Sequence, residues 1–486
     1  MSKRLELNLN MSFFKEDWAF KIDFSKCKNF EDLFTYLDSV VIEDINVGEQ
    51  FRKMYTFPER CPLLDTFIPF RGFTTNPENE IGIDGSFERK FLDILNDIRN
   101  TSGAKDKNKK LFDFVNLSSA AIGEVILKII NLTYSTYYTY NVSLSAIKDI
   151  TEPYNGIPNY FLDTLKQLEY IGLNDSGEIL PGECKAIIRK LYTESTDDQR
   201  EIIRYIIDRD FKIKMSEKSF YNVLNGTGKI RIIPYQRCET MDRLSRIVHP
   251  AICERKADGK FQNIIYDPQS NTGFTTNRSG KLSHLNVIIQ ELMEFNQSTK
   301  YFDNIWNIPL VINGEAIIKV PGCSAPDETF PREIGNGLFN SYDSRYTTFK
   351  TLTNKVQDAF GKTSLNRTVE ELIKHLLEWY RVTEFMQIDT WNIVPFDNWL
   401  KLDTGFTILK TKQYLKDFIS KYQVWCIENN RRIRTGEIEG TFVRDEEEAL
   451  NIYNAVLEKK YNLVSDCLDL RNRAAEVLGN SDAIKK

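Results

Sequence analysis

Apolar residues recur every three or four positions through much of the first half of the chain. The stretches are Phe91, Leu92, Leu95 and Ile98; Ile122, Val125, Ile126, Ile129 and Ile130; Phe161, Leu165 and Leu168; and Ile202, Ile203, Ile206 and Ile207. That spacing gathers side chains on one face, so each stretch predicts an amphipathic helix. Together they predict an all-α domain over residues 89–245, with Lys105-Asp106-Lys107-Asn108-Lys109-Lys110 as a short basic loop between the first two helices. After Pro250 the texture changes. Strand-like runs at 261–266 and 310–320 are broken by Gly, Asn and Asp, and two helices are expected near 368–380 and 446–459. Residues 246–486 therefore read as an α+β domain of antiparallel sheets and helices, ending in a polar helix over 464–486. Residues 1–88 are mixed and turn-rich, with Pro62, Pro69, Gly72 and Pro77 but neither motif nor repeat. They form an N-terminal extension of unknown role in a multi-domain chain.

Composition narrows the class without choosing a partner. The 486 residues are 41% hydrophobic and 27% charged, enough to bury several cores. No stretch reaches ~18 uninterrupted apolar residues and the N-terminus lacks a signal-like apolar run, so no membrane association is expected. The eight cysteines contain no C-x-x-C pair and there are only three histidines, which argues against a disulfide framework, a structural zinc site or a His-rich metal centre. With a net charge of -5, any contact with nucleic acid has to come from local basic patches.

The chemistry concentrates at Glu254-Arg255-Lys256-Ala257-Asp258-Gly259, which contains K-x-D-G just before a strand. Alone this is a weak signal, expected by chance in roughly one chain in seven of this length. Three further elements follow in order: Asn277-Arg278-Ser279-Gly280; Asn313-Gly314-Glu315 within the run beginning at Ile308; and Trp391-Asn392-Ile393-Val394-Pro395. A lysine that attacks the α-phosphorus of a nucleoside triphosphate has to be neutral part of the time, and a neighbouring cation such as Arg255 favours that. The transferring group then needs positioned cations, the ribose a polar partner, and the base an aromatic face. Read individually, Asp258 can equally be a turn former, Glu315 a surface strand carboxylate and Trp391 a core aromatic.

In that order and context, the four elements resemble the motifs of the ATP-dependent DNA ligases. The segments 91–98, 132–135 and 204–224, with Arg332-Glu333-Ile334-Gly335-Asn336-Gly337, extend the resemblance to the small ligases of tailed phages over residues 89–461. The resemblance implies that Lys256 forms lysyl-AMP and that Glu254 helps to read adenine. Asp258 and Gly259 complete the nucleotide-binding motif, and Arg278 contacts ribose or the nick 5′-phosphate. Glu315 binds the ribose or a metal, and Trp391 stacks on the base. ATP and Mg²⁺ are the implied cofactors and nicked duplex DNA the implied partner. The helical domain grips phosphates, with Lys105, Lys107, Lys109 and Lys110 as candidates. The setting would be DNA replication, repair or recombination in the cytoplasm, the host's if the protein is phage-encoded. This sequence departs from the family at Asn277, usually Ser, and at Asn392, usually Asp.

The family's next motif, E-G before an apolar run, has two placements. Glu439-Gly440 matches as a string, whereas the register of the following helix puts the slot at Asn462-Leu463, which makes Glu439-Gly440 an ordinary strand. No K-x-K or OB-fold sequence follows. The expectation is therefore a large subunit of a split ligase, or a form lacking the OB domain, with a second polypeptide supplying the missing parts. An RNA ligase or capping-type nucleotidyltransferase and a non-catalytic nick-binding homologue are the alternatives.

Overall fold

In the computed structural model the chain forms two compact units: Met1–Cys61 with Ile233–Lys486, and Pro62–Ile232. The residues described are 24–42, 45–55, 61–64, 77, 80–81, 85–116, 118–135, 138–140, 142, 160–172, 181–216, 219–220, 223–224, 238–240, 247–255, 257, 259–278, 280, 282–319, 332–400, 406–438, 440–457, 468–471 and 483–485.

The N-terminal segment is a working part of the first unit. Helix α1 (Phe30–Leu37), a two-stranded ribbon of β1 (Val41–Ile42) and β2 (Ile45–Asn46), and helix α2 (Val47–Tyr55) follow one another. Asn29 caps α1 by accepting from the Asp32 amide at 2.9 Å. Phe24, Leu33, Leu37 and Phe51 are fully buried in the same core as Ile264, Ile312, Phe349 and Leu372. Phe51 meets Phe349 edge-on at 5.2 Å. Burial of these side chains is what joins residues 24–55 to the second half, so the compact units divide elsewhere than the pattern boundaries at 88/89 and 245/246.

In the second unit every regular element among the described residues is a helix: α3 (Ser86–Asn100), α4 (Ala104–Asn116), α5 (Ala120–Tyr134), α6 (Phe161–Gly172), α7 (Pro181–Thr193) and α8 (Asp197–Asp208). Thr196 and Gln199 form a reciprocal capping box at the start of α8. At its other end Arg209, in the left-handed conformation, donates to the carbonyls of Tyr134, Ser135 and Tyr138 at 2.7–3.0 Å. The Tyr134 and Ser135 carbonyls are among the acceptors left open at the end of α5, and Tyr138 lies just beyond it. The expected basic loop is instead the first two turns of α4. Lys107 lies on its buried face with Leu111 and Val115, and its ammonium donates to Ile213 O at 2.9 Å.

The remainder of the first unit carries two sheets. A five-stranded sheet runs in the order β11 (Gly440–Val443), β4 (Ala251–Arg255), β12 (Leu468–Arg471), β13 (Ala483–Lys485), β3 (Cys238–Thr240). A six-stranded sheet runs β10 (Thr435–Glu437), β9 (Met386–Pro395), β8 (Leu310–Ile318), β5 (Lys260–Asp267), β6 (Thr272–Asn277), β7 (Leu282–Ser283). Its pairs are antiparallel apart from β10 with β9. Around the sheets stand α9 (Asn286–Thr299), α10 (Arg332–Ala359), α11 (Leu365–Phe385), α12 (Ile408–Glu428) and α13 (Glu446–Leu457).

Two expectations need correction here. Helices near 368–380 and 446–459 exist as α11 and α13, but α9, α10 and α12 were not anticipated; in α10, Asn, Ser, Tyr and Thr interrupt the apolar spacing. Residues 468–471 and 483–485 are strands, not parts of one polar helix. Leu468 and Leu470 alternate with polar residues, and β4 has an edge for them to pair with.

Candidate active site at the crossing between two sheets

Residues 256–259 carry the chain from β4 in one sheet to β5 in the other. Lys256 and Asp258 lie outside the described residues, so the site is built from what surrounds them. Gly259 lies flat on β8. A Cβ there would stand 2.3 Å from the Ala316 carbonyl oxygen, which excludes any side chain. Its amide donates to Glu315 Oε1 at 3.3 Å. The next residue, Lys260, anchors the far side of the crossing. Its ammonium reaches Asn340 Oδ1 at 3.1 Å and Asp343 Oδ2 at 3.2 Å on α10, over the Phe339 ring at 4.4 Å. Burial opposes the charge on Asp343, but bonds from His284 and the Lys260 charge outweigh it and hold the carboxyl below its ordinary range.

Glu254, fully buried in β4, forms an ion pair with the ammonium of Lys412 on α12. Lys412 also donates to the Trp391 carbonyl on β9 at 2.5 Å. One largely buried lysine thus joins a strand of each sheet. Directly across β4 from Glu254 stands Gly440 of β11, and Asp469 of β12 stands on its other side. Gly440 therefore opens a strand that pairs with β4, the strand leading into the crossing; Glu439 lies outside the described residues. Cys253, next to Glu254, is no competing nucleophile, because burial and the adjacent carboxylate push its thiol up to about 12.

Trp391 owes its position to a bulge. The β8–β9 register runs Asn313↔Asn392 and then Gly314↔Thr390, leaving Trp391 as the extra residue. A bulge of this kind re-aims a side chain out of the regular alternation. The indole packs on Phe261 at 5.6 Å and clusters with Ala257 and Ile438. Beside it four buried side chains hydrogen-bond in a row across four strands. Asn392 donates to Asn313 at 3.3 Å, Asn313 to Asn263 at 2.7 Å, and Asn263 to Thr276 at 3.1 Å. An amide both donates and accepts, so Asn at 313 and 392 can extend this row where two carboxylates would repel each other.

The structure thus brings Glu254, Gly259, Glu315 and Trp391 together around the crossing. Arg278 is exposed on the turn after β6, whose last residue pairs with Gln262 near the start of β5. Of the four lysines proposed for DNA, Lys105 and Lys109 are exposed and Lys110 pairs with Asp97 at 2.6 Å. Lys107 is buried and committed to backbone carbonyls, which corrects its assignment to a phosphate-facing surface. Sequence reasoning missed Lys412 and Asn263. The available signal for Lys412 was a lysine set within the buried stripe Ile408, Thr411, Leu415 and Phe418.

No protein-family model and no curated protein matches the chain. Among solved structures, the fold is similar to "Pmar-Lig_PreS3" and "Pmar-Lig_Pre.", each with a TM-score of 0.54, covering 81% of this chain and 77% of theirs at 12% and 14% identity. An ATP-dependent DNA ligase from bacteriophage T7 in complex with ATP aligns over 52% of this chain and 68% of its own, with a TM-score of 0.33 and 14% identity. Among the described residues no helix is long and apolar enough to cross a membrane.

Proposed function

We propose that the chain is the adenylylating part of an ATP-dependent DNA ligase. The observation that supports this best is the convergence of Glu254, Gly259, Glu315 and Trp391 on the short segment that contains Lys256. In this reading the neutral Lys256 amine attacks the α-phosphorus of ATP. A P–N bond forms, the P–O bond to pyrophosphate breaks, and AMP passes next to the 5′-phosphate of a nick. Glu254 reads the base, Trp391 supplies an aromatic face beside Phe261, and Arg278, exposed on the turn after β6, contacts ribose or the nick phosphate.

Among the described residues no three acidic, His or Cys side chains cluster as a metal cage. Glu315 as a single protein carboxylate would suit Mg²⁺ held mainly by ATP phosphates, because this ion keeps several waters and takes few protein ligands. When bound, the ion would neutralise phosphate charge in the transfer. The exposed Lys105 and Lys109 are candidates for backbone contacts to the duplex.

Incubation of the full chain with ATP labelled at the α-phosphate is the direct test. We expect covalent label on the protein that is acid-labile, is lost in Lys256→Ala, and is discharged by nicked duplex DNA. A parallel arm with candidate partner polypeptides tests the expectation of a second subunit. Absence of label in both arms would count against the adenylylation reading, and transfer to nicked RNA in preference to DNA would redirect it to RNA ligation.

A further inference from the structure

We infer that Lys412 is a positioning residue that sets nucleobase selectivity, acting through Glu254 and the Trp391 main chain; this rests on the nucleotide-binding reading above. Lys412 reaches the crossing from α12, a helix distant in sequence whose Ile408, Thr411 and Leu415 are buried. Its side chain is 11% exposed and that of Glu254 1% exposed. A carboxylate this deeply buried is costly unless a cation or hydrogen-bond donor faces it. Lys412 supplies that cation and holds one carboxylate oxygen, which fixes where Glu254 offers its acceptors.

An acceptor-only carboxylate suits the exocyclic amine of adenine and opposes the keto oxygen of guanine. Without Lys412 the carboxylate is no longer held in one orientation, so its acceptors no longer face a single base edge and the distinction between the two weakens. The second bond of Lys412, to the Trp391 carbonyl, falls on the bulged residue itself. The same ammonium therefore fixes the group proposed to read the base edge and the strand that carries the proposed stacking ring. A lysine that merely neutralised a buried charge would need only the first of these contacts.

The test compares self-labelling of the full chain by α-labelled ATP and GTP over a range of concentrations. Lys412→Met is expected to raise the half-saturating ATP concentration by about ten- to a hundredfold, the scale for losing a hydrogen bond to a charged group. The limiting rate should change less, the preference for ATP over GTP should shrink, and Lys412→Arg should restore most of both. In a Glu254→Gln background, Lys412→Met should reduce the preference no further. Unchanged saturation and preference in Lys412→Met overturn the inference, as do independent, multiplying losses in the double variant. Should Lys412→Met alone unfold, the Glu254→Gln, Lys412→Met pair leaves no lone buried charge, and its comparison with Glu254→Gln decides. If the unaltered chain, alone and with candidate partner polypeptides, takes label from neither nucleotide, the adenylylation reading fails and this inference falls with it. Label taken with a preference that Lys412→Met leaves intact removes the role of Lys412 alone.

Discussion

Replacing Gly259 with alanine asks whether the crossing segment has to lie flat on β8. The added Cβ would stand 2.3 Å from the Ala316 carbonyl oxygen and 2.9 Å from both Glu315 Cγ and Ile317 Cγ2. Ordinary contact begins near 3.4 Å, so something has to yield by roughly 1 Å. The nearest obstacle is backbone of a strand paired on both sides, with β5 and with β9. The crossing segment therefore moves, and with it the Gly259 amide leaves Glu315. Overpacking of this kind costs about 1–3 kcal/mol in stability. Misplacing a reacting group by about 1 Å costs on the order of a hundredfold in rate. The assay is single-turnover self-labelling at saturating ATP, alongside thermal unfolding. Gly337→Ala serves as control, since Gly337 lies within α10 and nothing stands within 4 Å of its added Cβ. A Gly259→Ala protein that labels at the unaltered rate and melts with the unaltered chain would refute the steric argument.

Other consequences follow from burial and charge. Lys128→Met in α5 strands Glu169 beside Tyr138, whose hydroxyl lies 3.2 Å from that carboxylate, and should cost about 3–5 kcal/mol in denaturant unfolding of the helical unit; a loss below about 1 kcal/mol would show that the pair is inert. His375 is shifted below 6.5 chiefly by burial, so the folded state binds its proton less readily than the unfolded one. Its contribution is complete above pH 6.5 and is lost as pH falls through the depressed value, so His375→Gln should flatten the fall in melting temperature below pH 6.5. An unchanged slope excludes this group as the cause. Lys105→Glu with Lys109→Glu should weaken binding to nicked duplex and reduce the salt slope by about 1.8, at about 0.9 per phosphate. Lys107→Met should instead lower helical stability and leave the salt slope unchanged, and a reduced slope for Lys107→Met would return that lysine to the DNA surface.

Local periodicity made several elements legible. Spacings of three and four residues announced α3, α5, α6, α8, α11 and α13, and apolar runs between turn formers announced β5 and β8, because those patterns express contacts within one element. The order of Lys256, Arg278, Glu315 and Trp391 along the chain likewise needed no coordinates, since the residue types suit one chemistry. What escaped depends on partners far away in sequence. Phe51 joins the second half only because Phe349 and its neighbours offer an apolar surface. Lys107 resembles its exposed neighbours until the Ile213 carbonyl is placed against it. The extra residue that turns Trp391 toward Ala257 is a property of register between β8 and β9, which neither strand encodes alone. Lys412 stands 158 positions from Glu254, and only the packing of α12 against β9 makes them a pair. The residue types and the regularly spaced elements were thus legible in the sequence, while the company each charged side chain keeps was decided by folding, because burial and hydrogen bonding are set by whatever closes over a group from elsewhere in the chain.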